Sequence, residues 1–382
     1  MYRLNAQQEE IVARARRLAA ERIAPFAAAV DREGRFPREA MQALAEEGFY
    51  GLSLPVQVGG LGQGLRAACA VLDEIAQACG STAMVYLMHL CACACYSASP
   101  AAARILPEVA RGRHLGTLAW SETGSRSHFW APVSQATAHN GQVVLSARKS
   151  WVTSAGEADG YVVSTRSPQA SSPTDSVLYL VYRDDPGVRV EGSWEGLGMR
   201  GNASAPMALE NCRLDPERAL CPPGQGFPTM LEVVLPWFNL GSAAVSVGLA
   251  EAATRATQAH LTASRLEHLG SRLADLPNLR ARLAEMRIET DRTRAHLASV
   301  LDAVEQPGPA TVLLVLESKA AAAEAAVRVT DLGMQACGGA AFSRHLTLER
   351  HFRDARAAAV MAPTTDVLRD FIGKALCGME LF

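Results

Sequence analysis

Gly116-Thr-Leu-Ala-Trp120-Ser121-Glu122-Thr-Gly-Ser125 and, after a polar interlude, Val143-Val-Leu-Ser-Ala-Arg-Lys149-Ser-Trp151-Val-Thr153-Ser154 form the stretch on which the reading of the fold turns. Two short apolar runs each end in a small hydroxyl residue beside a tryptophan, at Trp120-Ser121 and at Trp151-Val152-Thr153. Between them lie turn-formers, above all Asn140-Gly141, the strongest short hairpin signal. Taken alone, the stretch reads as an ordinary hairpin with a core tryptophan. A two-strand frame with aromatic walls and hydroxyl donors also suits a flat heteroaromatic ligand with polar edges, because hydroxyls meet ring carbonyls and nitrogens while an indole covers a face. The rest of the chain decides between the two.

At 382 residues the chain is long enough for two or three domains with their own cores. A hydrophobic share of 49%, a charged share of 20% and a net charge of −2 describe a globular protein. They give no basic excess for nucleic acid or an anionic membrane. The first ten residues carry no apolar signal run, so a cytoplasmic location is expected. Residues 75–103 and 233–250 contain no Asp, Glu, Lys or Arg. Interrupted by Gly80 and Pro100, and by Pro236, Asn239 and Gly241, they read as helices buried in protein rather than membrane spans. Nine cysteines, with Cys91, Cys93 and Cys95 alternating, fit neither a disulfide framework nor a metal cage. They read as small buried apolar residues, and no metal site is expected.

Residues 1–115 show helical spacing, at 7–29 and from Phe36-Pro37 to about Gly48, then a glycine-rich connection at Pro55–Gly62 and a long uncharged helix pair. From 116 to 223 the period becomes strand-like, with short runs at 160–165, 176–181 and 188–190 between turn residues, as in a compact all-β domain. From 224 to 382 the pattern is helical again, with segments at 228–263, 273–303 and 310–336 and a further helix from about Thr365, long enough for a bundle. Paired glycines at Gly338-Gly339 either end a helix or bring bare backbone N–H groups to a ligand such as a phosphate.

In this order, Phe36-Pro37, Pro55 to Gly62, Trp120-Ser121-Glu122, Trp151-Val152-Thr153, Gly196-Leu-Gly-Met-Arg200, Gly224-Gln-Gly-Phe227, Gln335-Ala-Cys-Gly-Gly339 and Arg353-Asp-Ala355 resemble the acyl-CoA dehydrogenase superfamily over nearly the whole chain. The resemblance implies an acyl-CoA dehydrogenase-like fold: an N-terminal all-α domain, a middle β-barrel domain and a C-terminal four-helix bundle. It implies non-covalent FAD, with Ser121 at the pyrimidine edge, Trp151 over the ring, Thr153 near N5, and Trp120 and Thr364 among the cofactor contacts. Gln335, Gly338 and Gly339 would meet the ADP half of a neighbouring subunit's flavin, in a homotetramer or homodimer. Ser125, Arg126, Phe129, Phe238, Asn239 and Met361 are the expected substrate contacts, for an acyl thioester on coenzyme A or an acyl-carrier protein. An electron-transfer flavoprotein or a flavin reductase is the implied redox partner.

The chemistry departs from the pattern. A family dehydrogenase takes the α-proton of a thioester with a glutamate, and a base must lie in reach of the proton it removes. The commoner glutamate slot falls here on Ala362. The alternative slot, with its following arginine, falls on Phe238 and Asn239. Three explanations follow. Asp366, one helical turn beyond Ala362, or His128, in the loop near the expected thioester, substitutes as base and keeps desaturation, the commoner family outcome and the one expected here. Alternatively the flavin reacts with oxygen, as in monooxygenase or oxidase branches, inside an apolar pocket of Phe129, Trp130, Trp237, Phe238 and Met361. Or the chain is a catalytically silent binding partner. Arg126 and Arg200 are candidates to polarise a thioester carbonyl or to pair with a substrate carboxylate.

Overall fold

The computed structural model describes residues 2–381; Met1 and Phe382, at the outer ends of the first and last expected domains, lie outside the described residues. Helix α1 (Ala6–Leu18) opens on a reciprocal cap, in which Asn5 and Gln8 each bond the other's backbone N–H through their side chains. It continues through a π turn, Ala19–Ile23, into α2 (Ala24–Glu33), followed by α3 (Arg38–Glu46), α4 (Leu65–Ala78), α5 (Gly80–Ser97) and α6 (Leu106–Ala110). The uncharged stretch 75–103 supplies the end of α4 and all of α5, but the two are not an uncharged pair, since α4 also carries Arg66, Asp73 and Glu74. Cys91, Cys93 and Cys95 are buried free thiols there, and burial raises the pKa of each.

The middle segment holds β1 (Gly116–Ala119), β2 (Thr137–His139), β3 (Gln142–Val152), β4 (Gly160–Arg166), β5 (Ser176–Tyr182), β6 (Val188–Val190) and β7 (Ala205–Leu214). Asn140 and Gly141 both take positive φ, 49° and 75°, as a two-residue turn between twisted strands requires, and they join β2 to β3. The two tryptophan-bearing runs, however, are not partners in one hairpin. β1 lies parallel to β4 in a three-stranded sheet, β1-β4-β5, whereas β3 belongs to the antiparallel sheet β2-β3-β7-β6. Every residue of β1 is buried, and such a run pairs inside a covered sheet rather than at a half-wet hairpin. Isolated bridges at Glu122–Lys149 and Gln135–Arg166 stitch the two sheets into a barrel-like unit.

After α7 (Gly226–Pro228) and a second π turn, Thr229–Val234, come α8 (Leu235–Ala263), α9 (Pro277–Glu305) and α10 (Thr311–Cys337). The short helices α11 (Leu348–Asp354) and α12 (Ala357–Val360) precede α13 (Thr365–Leu376). The helical run 226–263 is long and apolar enough to cross a membrane by length and composition, and 72% of its most apolar window is buried within the protein. A polar network ties α4 to the bundle. Asp73 accepts from Tyr2 Oη and Arg294 Nε, both at 2.9 Å, and Glu251 accepts from Arg294 (3.1 Å) and Arg287 (2.8 Å). Arg353, on α11, forks onto Asp31 at 2.8 and 2.6 Å, and Asp354 accepts from Met199 N at 2.6 Å. These contacts hold the three parts around one cavity.

Candidate active site

That cavity has a volume of about 1050 Å³. Its inner wall is apolar: Met84 and Met88 from α5, Leu118 from β1, Phe129, Val234 and Leu235 from the entry to α8, and Met361. One polar side is built by the ends of β1 and β3. β3 carries a register shift between Lys149 and Val152, and Trp151 and Ser154 take positive φ (57° and 63°). Non-glycine residues in that region cost about 1–3 kcal/mol each and persist only where the surroundings dictate them. Here the bulge swings the Trp151 indole outward, 64% exposed and edge-on to Trp194 at 5.7 Å, while Thr153 turns inward to meet Ser204 Oγ at 3.2 Å.

The two strand ends are clamped by a buried ion pair. Lys149 Nζ donates to Glu122 Oε1 (2.6 Å), to Ser164 O (2.5 Å) and to Trp120 O (3.4 Å). Glu122 also accepts from Val133 N (2.7 Å), Ser134 N (2.9 Å) and Ser134 Oγ. Burial works against its charge, but Lys149 and Ser134 outweigh it and hold the carboxyl below the usual carboxylate range. Ser150 N completes the junction by donating to Ser121 O at 2.9 Å.

Trp120, Ser121, Trp151, Thr153 and Thr364 all line the cavity. Gln335, Gly338 and Gly339 are exposed at the far end of α10, outside it. Among the expected substrate contacts, Arg126, Phe129, Phe238 and Met361 line the wall, and Ser125 and Asn239 do not. The Ser125 hydroxyl donates back to Glu122 O (3.3 Å) within its own turn. Asn239 is fully buried in the core, with neither amide atom partnered. Val234, Leu235 and Phe238 take the cavity face at helical spacing, and the next residue points about 100° away. Arg200 donates to Asp31 O at 2.7 Å, and Trp130 and Trp237 also lie outside the wall.

Neither expected substitute base lines the cavity. Asp366 is 94% exposed, in a separate groove beside Arg369 and Glu324. The step from Ala362 to Asp366 is not a helical turn, because Met361 and Thr364 are extended (ψ 135° and 161°) and α13 begins only at Thr365. His128 is exposed and stacks on Trp130 with centroids 4.9 Å apart. The two usual glutamate slots, Ala362 and Phe238, do face the cavity. Among the described residues the wall contains two carboxylates, Glu122 and Glu191, and Glu191 is tied to Arg148 at 2.6 and 2.7 Å. Of the wall cations, Arg353 pairs with Asp31 and Arg356 with Asp331 at 2.5 Å, whereas Arg126 has no carboxylate partner among the described residues.

The sequence reading missed the Glu122–Lys149 clamp, Ser204 and Lys319. Lys319 on α10 is buried directly behind the segment that carries Ala362. Its signal was present: Glu317, Glu324, Arg328 and Asp331 share one face of α10, and Lys319 falls on the opposite face among alanines.

Three helical and β segments around a cavity with this polar rim define a flavin-oxidoreductase architecture, and comparison with known proteins specifies it. Models of the acyl-CoA dehydrogenase N-terminal, middle and C-terminal domains match residues 5–113, 117–212 and 224–377. The chain belongs to the acyl-CoA dehydrogenase family of flavin oxidoreductases and has its fold. It is 27% identical to the probable acyl-CoA dehydrogenase FadE25 of Mycobacterium tuberculosis, over 98% of this chain and 97% of that one. It is also 28% identical to the mitochondrial isovaleryl-CoA dehydrogenase of Oryza sativa, over 97% and 91%. Among solved structures it is similar to butyryl-CoA dehydrogenase from Megasphaera elsdenii (TM-score 0.92, 21% identity, 98% and 99% covered). The FAD complex of PigA (0.90, 18%, 98% and 98%) and the prolyl acyl carrier protein oxidase AnaB (0.88, 20%, 98% and 99%) share the fold as well.

Proposed function

We propose that the chain is a FAD-dependent oxidoreductase that acts on an acyl thioester, carried by coenzyme A or an acyl-carrier protein, without a side-chain carboxylate as base. The residues present fit the cofactor. An outward indole at Trp151, hydroxyls at Ser121, Thr153 and Thr364, and the unpartnered Trp120 Nε1 stand around a cavity large enough for a tricyclic ring and a substrate arm. When bound, FAD supplies a two-electron acceptor that, once reduced, reacts with oxygen.

One observation carries the reaction type. Both wall carboxylates are engaged, Glu122 by four donors and Glu191 by Arg148, and both usual base slots are apolar. With no group to take an α-proton, the wall serves to orient the acyl chain and exclude water, which favours an oxygen-using reaction over glutamate-driven desaturation. The retained hydroxyl set argues against a silent binding partner. Cytoplasmic location and a homotetramer or homodimer, with Gln335, Gly338 and Gly339 offered to a neighbour's cofactor, complete the reading. A flavin reductase would supply electrons in the oxygen reaction, and an electron-transfer flavoprotein would accept them in desaturation.

The test is an oxygen electrode. Chemically reduced, FAD-loaded protein is given a panel of acyl thioesters, and thioester-dependent oxygen uptake is expected. Uptake that ignores every thioester, or a colourless protein that rejects FAD, would overturn the reading.

A further inference from the structure

Both vacated base slots lie against the same side chain. Lys319 projects from α10 into the core with 1% of its surface exposed. Its ammonium donates to three backbone carbonyls of one short segment: Ala358 O at 3.0 Å, Met361 O at 3.0 Å and Pro363 O at 2.7 Å. The same nitrogen lies 5.7 Å from the centre of the Phe238 ring. One cation therefore backs Ala362 through its neighbours' carbonyls and Phe238 through its π face.

Three donors meeting three carbonyls is the full capacity of an ammonium, so the group is spent on this segment. The segment needs it. α12 is four residues long, and its last carbonyls have no helical partner. Beyond it residues 361–363 form a bend, and helix resumes only at α13. Among the described residues no other side chain bonds a carbonyl of 358–363. Val360, Met361, Ala362 and Thr364 from this stretch form a continuous floor of the cavity. By drawing the carbonyls of Met361 and Pro363 to the rear, Lys319 also leaves the front of that floor apolar.

We propose that Lys319 is a positioning residue: its ammonium ties down residues 358–363 from behind and so sets the floor against which the acyl group of the thioester lies. This rests on the thioester reading above for its ligand, but the role of the lysine in holding the segment does not depend on it. Burial pushes Lys319 down to about 7, and no ionisable group on any element packed against it contributes. Loss of the proton leaves two donors for three acceptors and a lone pair facing a carbonyl. The floor is therefore firm below about pH 7 and loosens as pH rises through that value.

Two measurements test this on the full-length, FAD-loaded protein. In the first, a saturated acyl-CoA is titrated into wild type and Lys319→Met, and the perturbation of the flavin band is read between pH 6.5 and 9. Wild-type affinity should fall several-fold as pH rises. Lys319→Met should bind at least about tenfold more weakly at pH 6.5, with no pH dependence and with flavin occupancy retained. Equal affinity and equal pH profiles in the two proteins would overturn the proposal. The second needs no variant and no substrate. Hydrogen exchange of the backbone amides of Ala359, Val360, Met361, Ala362 and Thr364, corrected for its intrinsic pH dependence, should speed up between pH 6.5 and 9, while the Tyr161–Thr165 amides of β4 stay constant. An unchanged rate at 359–364 overturns the role of Lys319 even if Lys319→Met fails to fold. Absence of any acyl-CoA response in wild type, with the exchange change present, would strike the thioester reading alone.

Discussion

Removing the Lys149 ammonium should do more damage than any other single change in the middle domain. In Lys149→Met the aliphatic stem is kept, but Glu122 loses its only counter-charge among the described residues while remaining 4% exposed, and the carbonyls of Ser164 and Trp120 lose a donor. Breaking a buried pair by deleting one partner costs about 3–5 kcal/mol. Three donors remain on the carboxylate, from Val133 and Ser134, so the lower half of that range is expected. Glu122→Gln strands the ammonium instead and should cost a similar amount. The double variant leaves no buried charge, and its loss should fall short of the sum of the singles by about 2 kcal/mol. Denaturant unfolding followed by tryptophan fluorescence supplies the cycle, with flavin retention as a second readout, because the clamp holds Trp120-Ser121 beside Trp151-Thr153. Because the folded pKa of Glu122 is depressed, this carboxylate's contribution is complete above the ordinary range near pH 4.3 and is lost as pH falls through the lower folded value; burial lowers the Lys149 pKa, so the ammonium adds no such contribution of its own. A loss under about 1 kcal/mol for either single variant, or strict additivity, would refute the clamp.

Trp151→Ala or Thr153→Ala should each lower flavin occupancy several-fold as purified, measured by the ratio of visible to ultraviolet absorbance; unchanged occupancy would displace the cofactor from this rim. Asp366→Asn and His128→Ala should leave turnover within about twofold of wild type, since neither side chain reaches the cavity; a hundredfold loss in either would restore a base. Ala362→Glu should gain anaerobic, acyl-CoA-dependent flavin bleaching that wild type lacks, and a variant that binds the thioester without bleaching would show that the slot no longer addresses an α-proton.

The residues that were legible are those whose local chemistry has one solution. Asn140-Gly141 had to be a turn because both positions need positive φ, and the charge-free 75–103 had to be buried. The partnership of the two tryptophan runs was not legible, because a parallel crossover to β4 leaves no local mark on β1. Asp366 does not sit one helical turn beyond Ala362, because residues 361–363 form a bend and α13 begins only at Thr365. Asn239 failed because a π turn upstream sets which residues of α8 face the cavity, and one residue of rotation separates wall from core. The burial of Lys319 was legible, but what it holds was not, because its three partners are carbonyls about forty residues away, invisible to any pattern of side chains.

The central claim is that a flavin and an acyl thioester meet in this cavity with no carboxylate free to act. Anaerobic rapid mixing of the oxidised, FAD-loaded protein with saturated acyl-CoAs addresses it most directly. The account predicts a shifted flavin band, reporting a thioester against the ring, with no loss of its intensity. Rapid bleaching of the wild-type flavin would contradict it, since that requires a base the cavity wall does not provide.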